Sequence, residues 1–271
     1  MLYTGSPLSA HGFRWFYETV KSDIPLFGIS GGTDIVSCFV LGNPNMPVRA
    51  GEMQCKSLGV DVVALDEDGM PVLNQPGELV CRQALPSMPI GFLNDTDGTQ
   101  YRRAYFETYP GLWRHGDYVQ FTASGGAIIF GRSDATLNPG GVRIGSAEIY
   151  SALDHLNFIT GAVAVGWIPP TRSDEMILLL VVLAQPGALD EAGQQLIRRT
   201  IREQCSPRHV PHHIFQISEI PMTRSGKTVE LSVKAILAGK AVSNRMALAN
   251  PHVLAEIEDI RHRLTVIHSQ T

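Results

Sequence analysis

Two stretches of this chain gather residue types that handle anions. The first is Gly131-Arg-Ser-Asp-Ala-Thr-Leu-Asn-Pro-Gly-Gly-Val-Arg-Ile-Gly-Ser-Ala-Glu-Ile-Tyr150. It sets Arg132 and Arg143 on either side of a glycine pair, ahead of a helix expected to start near Ser146. An arginine is charged at every working pH and forks onto phosphate oxygens. The second is Pro221-Met-Thr-Arg-Ser-Gly-Lys227, in which an ammonium follows a Ser-Gly turn and can be carried onto an anion.

Two shorter pieces add to these. In Ser30-Gly-Gly-Thr-Asp34 the glycines let backbone approach a nucleotide. Thr33 offers a hydroxyl to a phosphate and Asp34 an oxygen to Mg²⁺. Trp113-Arg-His-Gly-Asp117 ends in an acid, and a carboxylate there could accept both hydroxyls of a ribose. The chemistry such a set could serve is carboxylate activation by ATP. Charge then builds at the α-phosphate and on leaving pyrophosphate, and cations and N–H donors must meet it. Spacing alone leaves a plain alternative open for each piece. Gly-Gly-Thr and Gly-Asp are common turns, two arginines eleven apart are commonly surface residues, and on its own Lys227 reads more readily as a solvated loop lysine.

The elements that must position these residues fall into two groups. Residues 1–30 read as a turn, a helix over 10–20 and a short strand over 25–29. From about Glu52 to Phe130, short alternating runs are cut by turn signals such as Asp66-Glu-Asp-Gly69, the pattern of antiparallel strands. The Asn-, Asp- and Gly-rich stretch over 86–108 reads as a long surface loop. After Asp134 the order becomes helix 146–156, strands 162–167 and 176–184, helix 189–204, strand 212–217 and helix 229–237. That order describes a compact α+β unit.

Composition narrows the field. At 271 residues the chain has length for two domains. Its 44% hydrophobic and 18% charged content is that of a folded globular protein. A formal net charge of −4 supplies no basic field for nucleic acid. No apolar run approaches the roughly 20 residues of a membrane span. Cys38, Cys55, Cys81 and Cys205 form no Cys-x-x-Cys pair, so they read as free thiols of a reducing, cytoplasmic setting.

In order and in combination, these motifs resemble those of the adenylate-forming ligases, in their acyl-CoA synthetase branch. The resemblance implies roles residue by residue. Gly5, Ser6 and Pro7 would border the adenine, and Gly32 and Thr33 would cover the nucleotide beside the metal-binding Asp34. Asp117 would hold the ribose, with Arg132 and Arg143 on phosphate. Asp134 would be a hinge, Gly141 would line the CoA tunnel, and Lys227 would serve catalysis. ATP, Mg²⁺ and CoA are the implied cofactors and co-substrates.

Finer features resemble the acetoacetate–CoA ligases of that branch. They are Asp134-Ala-Thr-Leu-Asn-Pro-Gly-Gly-Val-Arg143, Ser206-Pro-Arg-His-Val-Pro211, Val242-Ser-Asn-Arg-Met-Ala-Leu-Ala-Asn-Pro251, Val40-Leu-Gly-Asn-Pro-Asn-Met-Pro-Val48 and Pro86-Ser-Met-Pro-Ile-Gly91. They imply acetoacetate or a similar short acid as substrate. Acetyl-activating relatives place a tryptophan two positions before the threonine, where this chain has Gly31. The resemblance therefore implies a roomier acyl pocket here, which an indole at position 31 would fill.

The implied fold is α/β plus α+β. Residues 1–133 would be the C-terminal part of a large AMP-binding domain, carrying a partial sheet and a portion of an antiparallel β-barrel. Residues 134–250 would be a small mobile α+β domain, and 251–271 a helical tail. Nothing in the chain resembles the family's upstream phosphate loop. A truncated, non-catalytic remnant that binds a nucleotide is therefore the competing expectation, as is association with a chain supplying the missing N-terminal region. On this reading residues 135–245 should fold alone and residues 1–130 should not.

Overall fold

The structure is a computed structural model that describes residues 1–170, 172–224, 226–242 and 248–269. Ser225 of the lysine turn and residues 243–247 of the Val242–Pro251 motif lie outside the described residues. The chain folds as two compact units, Met1–Ser133 and Asp134–Thr271.

In the first unit, β1 (Leu2–Tyr3) pairs in parallel with β2 (Phe27–Gly28). Between them α1 (Ala10–Trp15) starts at Ser9, whose hydroxyl accepts the Gly12 amide at 3.2 Å. The helix continues as a π-helical turn over Phe16–Val20 and buries Phe13 and Phe16 beside Leu26. A second small sheet joins β3 (Ser30–Gly32), β4 (Ser37–Leu41) and β5 (Cys55–Lys56), all antiparallel. The expected glycine-rich loop at 30–34 is thus half strand, with a bulge between Ser30 and Gly31.

The main sheet of this unit is antiparallel throughout. It contains β6 (Val62–Leu65), β7 (Pro71–Val72), β8 (Gly77–Cys81), β9 (Trp113–Phe121) and β10 (Ala127–Arg132), in the order β10-β9-β8-β6-β7. The Asp66 carboxylate closes the β6–β7 turn by accepting the Met70 amide at 2.8 Å. The stretch over 86–108 is not all loop, because α2 spans Thr99–Tyr105. Its acids cap it: Asp97 accepts the Thr99 amide at 3.0 Å and Asp95 accepts the Tyr101 amide at 2.8 Å. The residues that read as loop-formers are the ones that start this helix.

The second unit is built on one strand. In β12 (Met176–Leu183), Met176, Leu178 and Leu180 enter one core, while Ile177, Leu179 and Val181 enter another. A period of two therefore splits its apolar run between two covered faces. It pairs antiparallel with β11 (Ile159–Trp167) and in parallel with β13 (His213–Gln216). On one face lie α3 (Ser146–Leu153) and α4 (Glu191–Gln204), which bury Ile149, Ile197 and Ile201. On the other lie α5 (Glu230–Leu237) and α6 (Val253–Ser269), which bury Val233, Ile236, Val253, Ile257 and Leu264. The C-terminal helix is integral to this core, so residues 135–245 alone would leave one face of the sheet half covered.

Candidate functional site

The first unit draws Asp117, Arg132, His115, Asp34 and Tyr105 into one cluster. Asp117 lies in β9 and Arg132 ends β10, and the two are register partners across the hairpin. The Arg132 guanidinium reaches Asp117 Oδ1 at 3.4 Å and donates to the His115 carbonyl at 3.1 Å. Local backbone irregularity produces this approach. From Arg114 to Tyr118, β9 advances four residues while β8 advances two, from Val80 to Glu78. Gly116 sits inside that bulge at φ +87°, and a Cβ there would lie 2.5 Å from an Arg132 nitrogen. Bulges of this kind re-aim side chains next to sites.

His115 joins the pair to the β3–β4 turn. Its Nε2 lies 3.8 Å from Asp117 Oδ2, and its ring hydrogen-bonds the backbone of Gly31. Burial lowers its pKa, while Asp117 pulls in the opposite direction. The ring packs edge-on against Phe39 at 4.7 Å. Thr33 and Asp34, which follow Gly31 and Gly32, are exposed at the turn. The Asp34 carboxylate accepts a hydrogen bond from the Tyr105 hydroxyl of α2. Burial, then Asp34, raises the Tyr105 pKa, and its ring stacks on Trp113 at 3.6 Å.

Gly31 does not border open space in the direction a side chain would take. A Cβ there would meet the Ser37 carbonyl oxygen and lie 2.5 Å from the Cys38 Cα, both backbone atoms of β4. An indole at 31 would have to part this hairpin before it could occupy an acyl pocket. Gly5, Ser6 and Pro7 form an exposed turn after β1, with Gly5 at φ +100°.

Behind Arg132 a buried network fixes the end of the unit. Ser133 Oγ donates to Glu78 Oε1 at 2.9 Å, and Arg114 Nη2 donates to Ser133 Oγ at 3.2 Å. Glu78 is 3% exposed and forms an ion pair with Arg114 at 3.3 Å, which offsets its desolvation.

The second unit presents its candidates on turns. Asp134, Gly141 and Arg143 are exposed, and Gly140 and Gly141 take φ of +59° and +80°. The Leu137–Ile144 bridge closes this loop with hydrogen bonds of 2.9 and 2.8 Å. Lys227 is also exposed, in a turn held by Thr223: its amide donates to Thr223 Oγ1 at 3.1 Å, and the Thr223 amide donates to its carbonyl at 2.8 Å. Three residues on, Glu230 accepts from Ser146 at 2.9 Å and from Tyr150 at 2.6 Å. Burial raises the Glu230 pKa. The lysine turn and the helix after the glycine loop are thereby tied together.

Among the described residues, no group of three or more His, Cys, Asp or Glu could hold a metal ion, and no helix is long and apolar enough to cross a membrane. The four cysteines are free thiols.

Comparison with known proteins meets this geometry. No protein-family model matches the sequence. Among solved structures, a benzoate CoA ligase from Burkholderia xenovorans superposes with a TM-score of 0.72 at 20% identity, over 86% of this chain and 45% of that one. That likeness is one of fold.

Closer relatives refine the placement. The acetoacetyl-coenzyme A synthetase of Rhizobium meliloti is 49% identical over 266 residues, 96% of this chain. That of Gallus gallus is 43% identical over 263 residues. The solved acetoacetyl-CoA synthetase from Streptomyces lividans gives a TM-score of 0.85 at 40% identity, over 97% of this chain. Over nearly its whole length, this chain is similar to acetoacetyl-CoA synthetases. It spans about 40% of the length of the curated relatives it matches.

Proposed function

We propose that the chain carries the nucleotide-binding and carboxylate-activating parts of an AMP-forming ligase that converts acetoacetate to its CoA thioester. In the first half-reaction an acetoacetate oxygen attacks the α-phosphate of ATP, and pyrophosphate leaves. In the second, the CoA thiol attacks the acyl carbon, AMP leaves, and the thiol proton passes to solvent. The observation that carries this reading is the Asp117–Arg132 pair, in a chain similar to acetoacetyl-CoA synthetases over 96% of its length.

On this reading Asp117 accepts both ribose hydroxyls. Arg132, about half exposed, turns toward phosphate, with Arg143 as a second phosphate contact. The Gly5-Ser6-Pro7 turn borders the adenine, and Gly32 and Thr33 cover the nucleotide. Asp34 offers a carboxylate beside the site, and among the described residues no group of three or more ligands could hold a metal ion. It therefore fits a Mg²⁺ that completes its shell with phosphate oxygens and water rather than an all-protein cage. Bound there, the ion would neutralise phosphate charge.

Lys227 stabilises the adenylation transition state from its exposed turn. The division of the chain at Ser133 and Asp134 supports Asp134 as the point where the small unit turns between half-reactions, bringing Gly141 to the CoA. Gly31 belongs to the acyl end of the site through the backbone of its hairpin.

The test is acetoacetate-dependent exchange of labelled pyrophosphate into ATP, run beside an AMP titration. Exchange with acetoacetate well above that with acetate is the expected result. Absence of both exchange and AMP binding would sink the reading.

A further inference from the structure

Five side chains link the two elements assigned to the nucleotide. The Asp34 carboxylate takes the Tyr105 hydroxyl, Tyr105 stacks on Trp113, Trp113 Nε1 donates to His115 Nδ1 at 3.5 Å, and His115 Nε2 faces Asp117. Strand alternation explains the middle of this chain, since Trp113 and His115 are two apart in β9 and project to one side. An indole nitrogen only donates, so Nδ1 must accept and the ring proton sits on Nε2. That N–H faces Asp117, and the ring also hydrogen-bonds the Gly31 backbone.

We propose that His115 is the positioning residue of the nucleotide site, holding the Asp117 carboxylate and the Gly31–Asp34 turn in one arrangement and so setting how strictly the ribose is read. The inference rests on the function proposed above.

The surroundings leave the ring little choice. Its side chain is 9% exposed, Phe39 covers one side, and Gly32 is bare enough that a Cβ would lie 2.5 Å from the ring's Cε1. Asp117, Asp34 and Arg132 are the charged groups that face it. Burial outweighs the two acids, which keeps the imidazole neutral. A neutral donor matters here. An imidazolium would form an ion pair with Asp117 and compete with ribose hydroxyls for the carboxylate. The neutral ring orients the carboxylate by its N–H dipole and leaves the negative charge to the nucleotide. At 3.8 Å this is a dipolar interaction rather than a direct hydrogen bond.

The experiment compares AMP with 2′-deoxy-AMP and 3′-deoxy-AMP by equilibrium titration of the whole chain. Loss of one hydrogen bond to a charged acceptor should weaken unsubstituted protein about tenfold or more for each analogue. His115→Ala should shrink that preference to about twofold, and His115→Gln, which can restore a donor at the Nε2 position, should recover most of it. A full preference retained by His115→Ala overturns the inference and leaves the proposed function standing. No AMP binding by the unsubstituted chain overturns both. A second readout needs neither nucleotide nor a stable alanine variant. Long-range ¹H–¹⁵N spectra at neutral pH, with His115→Gln for assignment, should show a neutral ring protonated at Nε2. A ring protonated at Nδ1 would end the proposal.

Discussion

The two units hold their functional candidates in opposite ways. In Met1–Ser133 the central pair is enclosed by side chains: Asp117 and His115 are 13% and 9% exposed. In Asp134–Thr271 the candidates stand on exposed turns, and hydrogen bonds hold the turns. Thr223 closes the Lys227 turn through its amide and its hydroxyl, and Glu230 anchors the helix after it. The difference matches two tasks. A group that reads a ribose gains from a single geometry, which burial and paired hydrogen bonds supply. On the proposed function, a cation that acts in one half-reaction must arrive and leave, which an exposed side chain on a held turn allows.

The comparison can be broken most forcefully at the frame under Lys227. Removing residues 251–271 takes away α6 and with it the buried Val253, Leu254, Ile257, Ile260 and Leu264. At about 1.5–3 kcal/mol for each large side chain, the loss is on the order of 10 kcal/mol, comparable with the whole stability of a domain. The expected outcome is loss of one of two thermal transitions in calorimetry. Two transitions at unchanged temperatures would show that α6 is an accessory.

Lys227→Ala asks the opposite question, because it should leave stability alone. Pyrophosphate release with acetoacetate should fall by about two or more orders of magnitude, mostly in kcat. CoA consumption from synthetic acetoacetyl-adenylate should stay near its original rate. An equal loss in both assays would mean that the lysine serves both states, and the picture of a cation that comes and goes would have to be given up.

Glycines sharpen the contrast at a smaller scale. Gly31→Trp must displace the β4 backbone, so it should cost about 1–3 kcal/mol or more and weaken AMP binding with it. Gly141→Ala meets nothing within 4 Å and bears only the strain of φ +80°, roughly 1–2 kcal/mol, with AMP affinity unchanged. Denaturant unfolding and AMP titration of the two variants test this. A Gly31→Trp protein that folds normally and merely prefers acetate would restore the open-pocket view.

What the sequence made legible follows from how local each cause is. Asp117 and Arg132 stand in recognisable motifs, and their meeting depends only on a hairpin register set by nearby glycines. The alternation after Glu52 and the helix–strand order after Asp134 were equally local, and the elements formed close to their expected places. Tyr105 was hidden because it lies on α2, whose capping acids imitate a loop. His115 left one faint trace, its place two residues from Trp113 in an alternating strand. Glu230 left none, since Ser146 and Tyr150 lie 84 and 80 residues away and only the packed fold brings them together.

The smallest effect tests whether α6 is docked by polar as well as apolar contacts. His213 of β13 and His268 of α6 meet Nε2 to Nε2 at 3.0 Å, so one ring must donate and the other accept. Both cannot be charged at that distance. Burial, then His268, His212 and Arg198, lowers the His213 pKa to about 4. His212, whose Nδ1 accepts the Ile177 amide at 3.0 Å, is lowered for similar reasons. A histidine depressed in the folded state stays neutral there, while the unfolded chain takes up a proton near 6.5. The stability this contact supplies is therefore complete above about pH 6.5 and is lost as pH falls toward about 4, with no further change from this group below that. His213→Gln removes the titrating ring and keeps a hydrogen-bonding side chain. The melting temperature of the second unit should fall less steeply in the variant than in the original between pH 6.5 and 4. Parallel slopes would mean that the pair does not hold the helix, and that α6 is kept in place by its apolar face alone.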